Sequence, residues 1–266
     1  MTRNRLLVYW LPVHWLPITQ FMKIINILGV KVDNHTYNEV LQIIEQFLNS
    51  ERTESRQITT VNPEFIMTAQ KDKDFREIIN RSFISTVDGA GIVWATDFLY
   101  GKKIKQRVTG VDLIEKLAKL AKENGSSIFF LGAQPGVAEK TAATLEEKNP
   151  GLKIAGTYAG SPKDEDQEKI LKLINNSQPD ILLVAYGAPA QDKWIYDNLK
   201  NFEKPLLAIG IGGSFDYIAG VVKRAPLWMR KAGLEWLYRL VREPKRYNRI
   251  LTASVRFPLA VMRSKK

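Results

Sequence analysis

"SIFFLGAQPGVAEKTAATLEEKN", residues 127–149, runs from a short apolar segment through a Gly-rich turn into a stretch of helical character. Ile128 to Leu131 are apolar without alternation, the mark of a strand covered on both faces. The turn LGAQPG (131–136) then passes the chain to a covering helix. The same unit recurs on either side. Upstream, RQITTV and FISTV read as strands, and TYNEVLQIIEQFL as an amphipathic helix with Val40, Leu41, Ile44, Phe47 and Leu48 at helical spacing. GVDLIEKLAKLAKEN is a further helix. Downstream, LKIAGTYA, DILLVAYG and PLLAIGIG are strands separated by the helices DEDQEKILKLINN and PAQDKWIYDNLKNF. IINILGVKV (24–32) is expected as the first strand. This alternation predicts an α/β fold: a Rossmann-like parallel sheet with helices on both faces over residues 22–220.

Composition sets limits on the chemistry. The 266 residues include no Cys and two His, His14 and His35. Thiolate nucleophiles and zinc–cysteine sites are therefore excluded, and there is little material for a histidine metal site or a Ser-His-Asp triad. Catalysis must run on carboxylates, hydroxyls, amides and Arg or Lys. The net charge of +11 is concentrated at one end: residues 221–266 hold thirteen Lys/Arg against Glu235 and Glu243, and the rest of the chain sums to zero. A basic tail on a neutral body suits a polyanion, either nucleic acid or an anionic membrane surface.

The opening MTRNRLLVYWLPVHWLPITQF has Arg3 and Arg5 ahead of an apolar run broken by Pro12 and Pro17. It lacks a cleavage pattern and is short for a spanning helix, so either Met22 is the natural start or residues 1–21 are a loose extension, with a membrane anchor as the less favoured reading.

In open parallel sheets, ligands collect at the carboxyl ends of the strands. Those ends are TTVNPEF, TVDGAG, FFLGAQPG, VAYGAPAQD and GIGGSFD. In TVDGAG, Asp88 has two readings: the N-cap of a helix starting near Ile92, or a base facing a pocket that the glycines open to substrate. Asn62 before Pro63 reads as a cap, and Thr60 shares its side of the strand. Gln191 and Asp192 open a helix, either as ordinary solvated positions or with the Gln191 amide reading a nucleotide. The DED at 164–166 resembles a metal-binding D-x-D but sits where acids favour a helix N-terminus, and it reads as structural. No other metal constellation is visible.

The segment RAPLWMRKAGLEWLYRLVREPKRYNRI interleaves Trp228, Trp236, Leu237, Tyr238 and Leu240 with Arg224, Arg230, Arg239, Arg242, Arg246 and Arg249. Rings and aliphatic stems among cations suit the lipid–water interface. Nucleic-acid binding could use the same residue types, and a core-packed helix pair with a charged outer face fits the composition equally. The appendage over 221–266 is expected to be helical and membrane-associating, and its exposed apolar residues favour self-association.

Together, TVNPE, TVDGAG, RVTGVDL, FFLGAQPGVAE, GAPAQDKWI, GIGGSFDYIAGVVKRAPLWMRKAGLEWLYRL and EPKRYNR resemble the WecG/TagA/CpsF glycosyltransferase family, from about Lys23 to about Arg249. Ala190 departs from the family pattern, which more often has Lys before the Gln. The resemblance implies transfer of N-acetylmannosamine from UDP-N-acetylmannosamine to undecaprenyl-diphosphate-linked N-acetylglucosamine, an inverting step of wall teichoic acid linkage-unit synthesis. It implies no cofactor and no essential metal. By the same resemblance Asp88 is the general base, with Thr60 and Asn62 holding the sugar or orienting the acceptor. Arg107 and Thr109 would bind phosphate, and Gln191, Gly213 and Asp216 the UDP-sugar. Arg239, Arg246 and Arg249 would meet the diphosphates. The enzyme would work in the cytoplasm, peripheral on the inner face of the cell membrane, without nucleic acid. The rivals are a UDP-N-acetylmannosaminuronic acid transferase of the same family, a nucleic-acid-binding module, and a dinucleotide-dependent oxidoreductase, which lacks its Gly fingerprint.

Overall fold

The computed structural model describes residues 24–242 and 244–265, with the side chains of Lys231, Arg239 and Lys245 also outside the described residues. Residues 1–21, read as an extension, therefore lie outside them. The chain opens with β1 (Ile24–Ile27), β2 (Val30–Asp33) and α1 (Tyr37–Asn49). There follow β3 (Arg56–Val61), α2 (Pro63–Ala69), α3 (Lys73–Arg81), β4 (Ile84–Val87), α4 (Ala90–Tyr100) and α5 (Gly110–Asn124). The second half holds β5 (Ser127–Gly132), α6 (Val137–Lys148), β6 (Lys153–Tyr158), α7 (Asp164–Ser177), β7 (Ile181–Ala185), α8 (Ala190–Asn198), β8 (Leu207–Gly210) and α9 (Ser214–Ile218). The appendage consists of α10 (Leu227–Lys231), α11 (Glu235–Arg242), α12 (Tyr247–Leu251) and α13 (Phe257–Ser264), the last two joined by a π-helical turn over Thr252–Arg256.

Six strands form a parallel sheet in the order β4-β3-β8-β7-β5-β6. All five residues of β7 are buried, as an unbroken apolar strand requires. Val40 and Ile44 of α1, Leu117 of α5, Leu145 of α6 and Phe215 of α9 cover one face. Ile170 and Ile174 of α7 and Trp194 and Ile195 of α8 cover the other, over Phe129, Leu131, Leu182 and Val184. The predicted α/β architecture is present.

Two segments differ from expectation. IINILGVKV is a hairpin, not one strand: β1 pairs antiparallel with β2, outside the main sheet. Leu28 and Gly29 both have positive φ (53° and 82°), the backbone of a tight hairpin turn, and Asn26 Oδ1 accepts the Gly29 N–H at 2.8 Å. The second difference is at the C-terminus. Phe257 and Val261 of α13 are fully buried in one apolar cluster with Val61, Phe65, Val87 and Ile92. The last helix of the basic tail is thus stitched into the body's core beneath β3 and β4.

Candidate active site

The carboxyl ends of β3, β4 and β8 lie side by side, and the turn after β4 carries Asp88 between them. The Asp88 N–H donates to Val61 O at 2.8 Å, which extends the β3–β4 pairing by one residue. Asp88 does not cap α4. The N-cap of that helix is Gly89, with φ 109°, and it has no side-chain cap bond. The Asp88 Oδ2 instead lies 3.5 Å from the N–H of Gly110, the first residue of the 15-residue α5. The positive end of a helix thus faces a partly exposed carboxylate.

The glycines around Asp88 make room for protein, not for substrate. Gly89 supplies a backbone conformation that L-residues avoid. A β-carbon on Gly91 would sit 2.7 Å from Pro63 Cγ and 3.5 Å from Phe257 Cε1. The turn is therefore held between α2 and α13.

The other expected residues divide into two groups. Several have local structural work. Asn62 caps α2: its Oδ1 accepts from Glu64 N at 2.9 Å and Phe65 N at 3.1 Å. Thr60 is buried and its hydroxyl donates to Gly210 O at 3.0 Å, tying β3 to the end of β8. Thr109, expected at a phosphate, is the buried N-cap of α5, and its hydroxyl donates to Asp112 Oδ2 at 2.8 Å. Arg107 Nη2 donates to Arg230 O at 2.9 Å, a contact with α10. Gln191 and Asp192 are not solvated: both are buried, and Gln191 Oε1 accepts from Gly187 N at 3.0 Å and Gly212 N at 2.9 Å. That one carbonyl bridges the loops after β7 and β8. The DED stretch opens α7, where Asp166 Oδ2 accepts the Ser161 N–H at 3.0 Å.

The second group converges from the appendage. A β-carbon on Gly213 would lie 3.4 Å from Asp216 Oδ2 and 3.9 Å from Arg246 Nη2, so the tail arginine reaches the loop after β8. Arg249 Nε is 2.6 Å from Glu64 Oε2, at the first turn after β3. At the turn between α10 and α11, a β-carbon on Gly233 would meet Ala90 Cβ at 3.0 Å. The appendage thus crosses the ends of β3, β4 and β8 and surrounds the Asp88 turn. The Arg239 side chain lies outside the described residues. Among the described residues no group of three or more His, Asp or Glu is placed to hold a metal ion, and no helix is long and apolar enough to cross a membrane.

A sequence profile of the glycosyl transferase WecG/TagA/CpsF family matches residues 25–266. The chain belongs to this family. It is 35% identical over 209 residues to the N-acetylglucosaminyldiphosphoundecaprenol N-acetyl-beta-D-mannosaminyltransferase of Bacillus subtilis (strain 168), covering 79% of this chain and 80% of the relative. Proteins of that name from Staphylococcus aureus strains MW2 and NCTC 8325 are 32% identical over 226 residues, 85% of this chain and 87% of each relative. The WecG/TagA/CpsF match includes the appendage, and the protein is a glycosyltransferase.

Sequence reasoning did not single out the polar junction that anchors this family member's appendage. Arg224 grips Asp112 with two bonds, Nη1–Oδ1 at 2.5 Å and Nη2–Oδ2 at 3.0 Å. Burial works against the Asp112 charge, but the hydrogen bonds from Arg224 and Thr109 outweigh it and hold its pKa below the usual carboxylate value. Tyr37 completes the junction: its hydroxyl, pushed up to about 12 chiefly by burial, accepts the Thr109 N–H at 2.8 Å. A cleft of about 720 Å³ opens beside it, walled by Tyr37, Gln106, Lys116, Leu227 and Arg230 among others. Arg224 stood in a run of tail cations and Asp112 in an ordinary helix start. No pattern in the sequence joins them.

Proposed function

We propose that the protein transfers N-acetylmannosamine from UDP-N-acetylmannosamine to undecaprenyl-diphosphate-linked N-acetylglucosamine, with inversion and without a metal ion. The observation that carries this reading is a partly exposed Asp88 at the α5 N-terminus, with Arg246 reaching the loop after β8 and Arg249 the first turn after β3 on the adjoining strand ends. The names of the relatives supply the sugar and the acceptor.

In this reading the Asp88 carboxylate takes the proton from the attacking acceptor hydroxyl. The acceptor oxygen bonds to the anomeric carbon as the bond to the UDP oxygen breaks, and the electron pair leaves with UDP. A single in-line displacement inverts the anomeric centre and needs one base. Arg246 and Arg249, with Arg239 seven residues before the first of them, stabilise the charge on the departing diphosphate. Asn62, whose Oδ1 is committed to capping, offers its Nδ2 amide to the sugar or acceptor. Arg107 binds the acceptor or the donor phosphate. Gln191, Gly213 and Asp216 frame the UDP-sugar, while Thr60 and Thr109 act through the backbone they fix.

The appendage, residues 221–266, would also dock on an anionic membrane surface from the inner face. Leu227, Trp228, Trp236, Leu237 and Val241 are exposed large apolar residues close to Arg230 and Arg242. Rings and snorkelling cations on one short segment fit headgroup depth.

The test is UDP release with EDTA present, from UDP-N-acetylmannosamine and a lipid-diphosphate-N-acetylglucosamine analogue, for the parent and Asp88→Asn. Turnover by the parent and near-loss in the variant are expected. Turnover only on the N-acetylmannosaminuronic acid donor would overturn the choice of sugar, and dependence on added metal would overturn the metal-free mechanism.

A further inference from the structure

We propose that Asp192 is a positioning residue of the transferase: buried behind Gly210, it orients the Gln191 amide that clamps the loops after β7 and β8, and so shapes the donor side of the crevice. Asp192 is 0% exposed, and neither of its oxygens has a well-formed hydrogen-bond partner. A buried acid in this condition calls for an explanation.

The geometry supplies one. A β-carbon on Gly210 would lie 2.6 Å from Asp192 Oδ1 and 2.7 Å from Gln191 Nε2. The acid and the amide nitrogen therefore converge over the bare Cα of Gly210, whose carbonyl holds Thr60 at 3.0 Å. At its other end, Gln191 Oε1 accepts both Gly187 N and Gly212 N. A primary amide has one accepting end and one donating end. If it turned over, its N–H groups would face two backbone N–H donors. An acceptor at the Nε2 end favours the orientation that works, and the Asp192 carboxyl, which converges with Nε2 over Gly210 and feels the pull of this amide without a well-formed bond to it, stands on that side.

The acid does this best when neutral. Burial pushes Asp192 up to about 7, against the pull of the Gln191 amide and its own backbone N–H. An unpaired charge here would be costly, whereas a neutral carboxyl keeps one oxygen for Gln191 and gains an O–H. Gln57 donates through Nε2 to the Asp192 carbonyl at 3.0 Å, and its own Oε1 is buried without a donor.

Three of the cations on or beside the packing elements have partners away from Asp192. Lys193 pairs with Asp72 of the α3 N-cap at 2.7 Å, and Arg81 of α3 donates to Tyr196 Oη at 3.0 Å. Arg56, at the start of β3, pairs with Glu54 at 2.6 Å, and β7 and β8 carry no charged residue.

The experiment compares full-length parent, Asp192→Asn and Asp192→Ala. Amide hydrogen exchange is followed at Gly187 and Gly212, each protein held equally far below its own melting temperature. Donor KM and kcat are measured alongside. Asn is neutral and offers both an acceptor and a donor, so it should retain parent-like exchange and donor KM. Ala should speed exchange at both amides and raise donor KM by roughly tenfold or more, with a smaller change in kcat.

An Ala variant with parent-like exchange at both glycines overturns the proposal. So does an Asn variant that is as loose as Ala, and this arm still decides if Ala does not fold. The kinetic arm rests on the transfer reading above, and the exchange arm does not. A parent that turns over no UDP-N-acetylmannosamine would sink that reading while leaving Asp192 to be judged by exchange.

Discussion

Two aspartates stand at strand ends of one sheet, with β3 and β8 between their strands, and their surroundings give them opposite characters. Asp88, after β4, is partly exposed and faces the first N–H of α5. Asp192, in the first turn after β7, is wholly buried against Gly210 with unsatisfied oxygens. A helix N-terminus and access to solvent suit a group that must be charged and meet substrate. A closed niche suits a group that must stay neutral and hold its neighbours. The chemical type is the same, and the environment divides the labour.

The strongest way to break this comparison is to neutralise each acid in turn. Asp88→Asn should lower kcat by roughly 10²- to 10⁴-fold, the usual worth of a positioned base, with an unchanged fold by circular dichroism. Asp192→Asn should leave kcat close to the parent. If both substitutions abolished turnover, the division of roles proposed above would be wrong.

The support beneath Asp88 comes next. Phe257 is fully buried and lies 3.5 Å from where a Gly91 side chain would begin. Phe257→Ala should cost about 3–5 kcal/mol in denaturant unfolding and loosen the Asp88 turn along with the appendage. A loss below about 1 kcal/mol would mean that α13 is not part of the core.

Stability against pH sharpens the contrast, because the two perturbed acids nearest the crevice shift in opposite directions. The folded state raises the pKa of Asp192 to about 7, so folding takes up a proton that the unfolded chain has lost. Its stabilising contribution is full below the unfolded carboxylate value of about 4 and is lost as pH rises towards 7. Asp112 is depressed, so its contribution is present above about 4 and is lost as pH falls through its lower folded value. Asp192→Asn should therefore flatten the fall in stability between about pH 4 and 7, by a few kcal/mol, and leave the acid limb intact. An unchanged slope in melts across that window would show that Asp192 ionises normally.

The fold was legible because unbroken apolar strands and periodic helices carry it, and these are local signals. The exception, IINILGVKV, shows the limit: apolar composition marks a strand, but Leu28 and Gly29 turn the chain back on themselves, and Leu is a poor turn marker. Within the site, Asp88 and the strand-end loops could be located from sequence. What each side chain does there could not. The cap bonds of Asn62 and Thr109, the double bridge from Gln191 Oε1 and the Arg224–Asp112 fork all depend on partners set by tertiary packing. Even the glycines around Asp88 are occupied by Pro63 and Phe257, the latter more than 160 residues away in sequence.

The smallest stability effect is expected where the appendage meets the site. Arg249 pairs with Glu64 at 2.6 Å, but their side chains are 54% and 29% exposed. Pairs of this kind contribute about 0–1 kcal/mol, so Arg249→Ala should barely move the melting temperature. In the transfer reading the same guanidinium meets the diphosphate, where charge-assisted bonds in a closed site are worth far more. The variant should therefore lose turnover by at least about tenfold while remaining as stable as the parent. Glu64→Gln supplies the converse, releasing Arg249 without removing it, and should leave turnover intact. Equal losses in both variants would mean that the pair serves the docking of the appendage, and that Arg249 has no contact of its own with the leaving group.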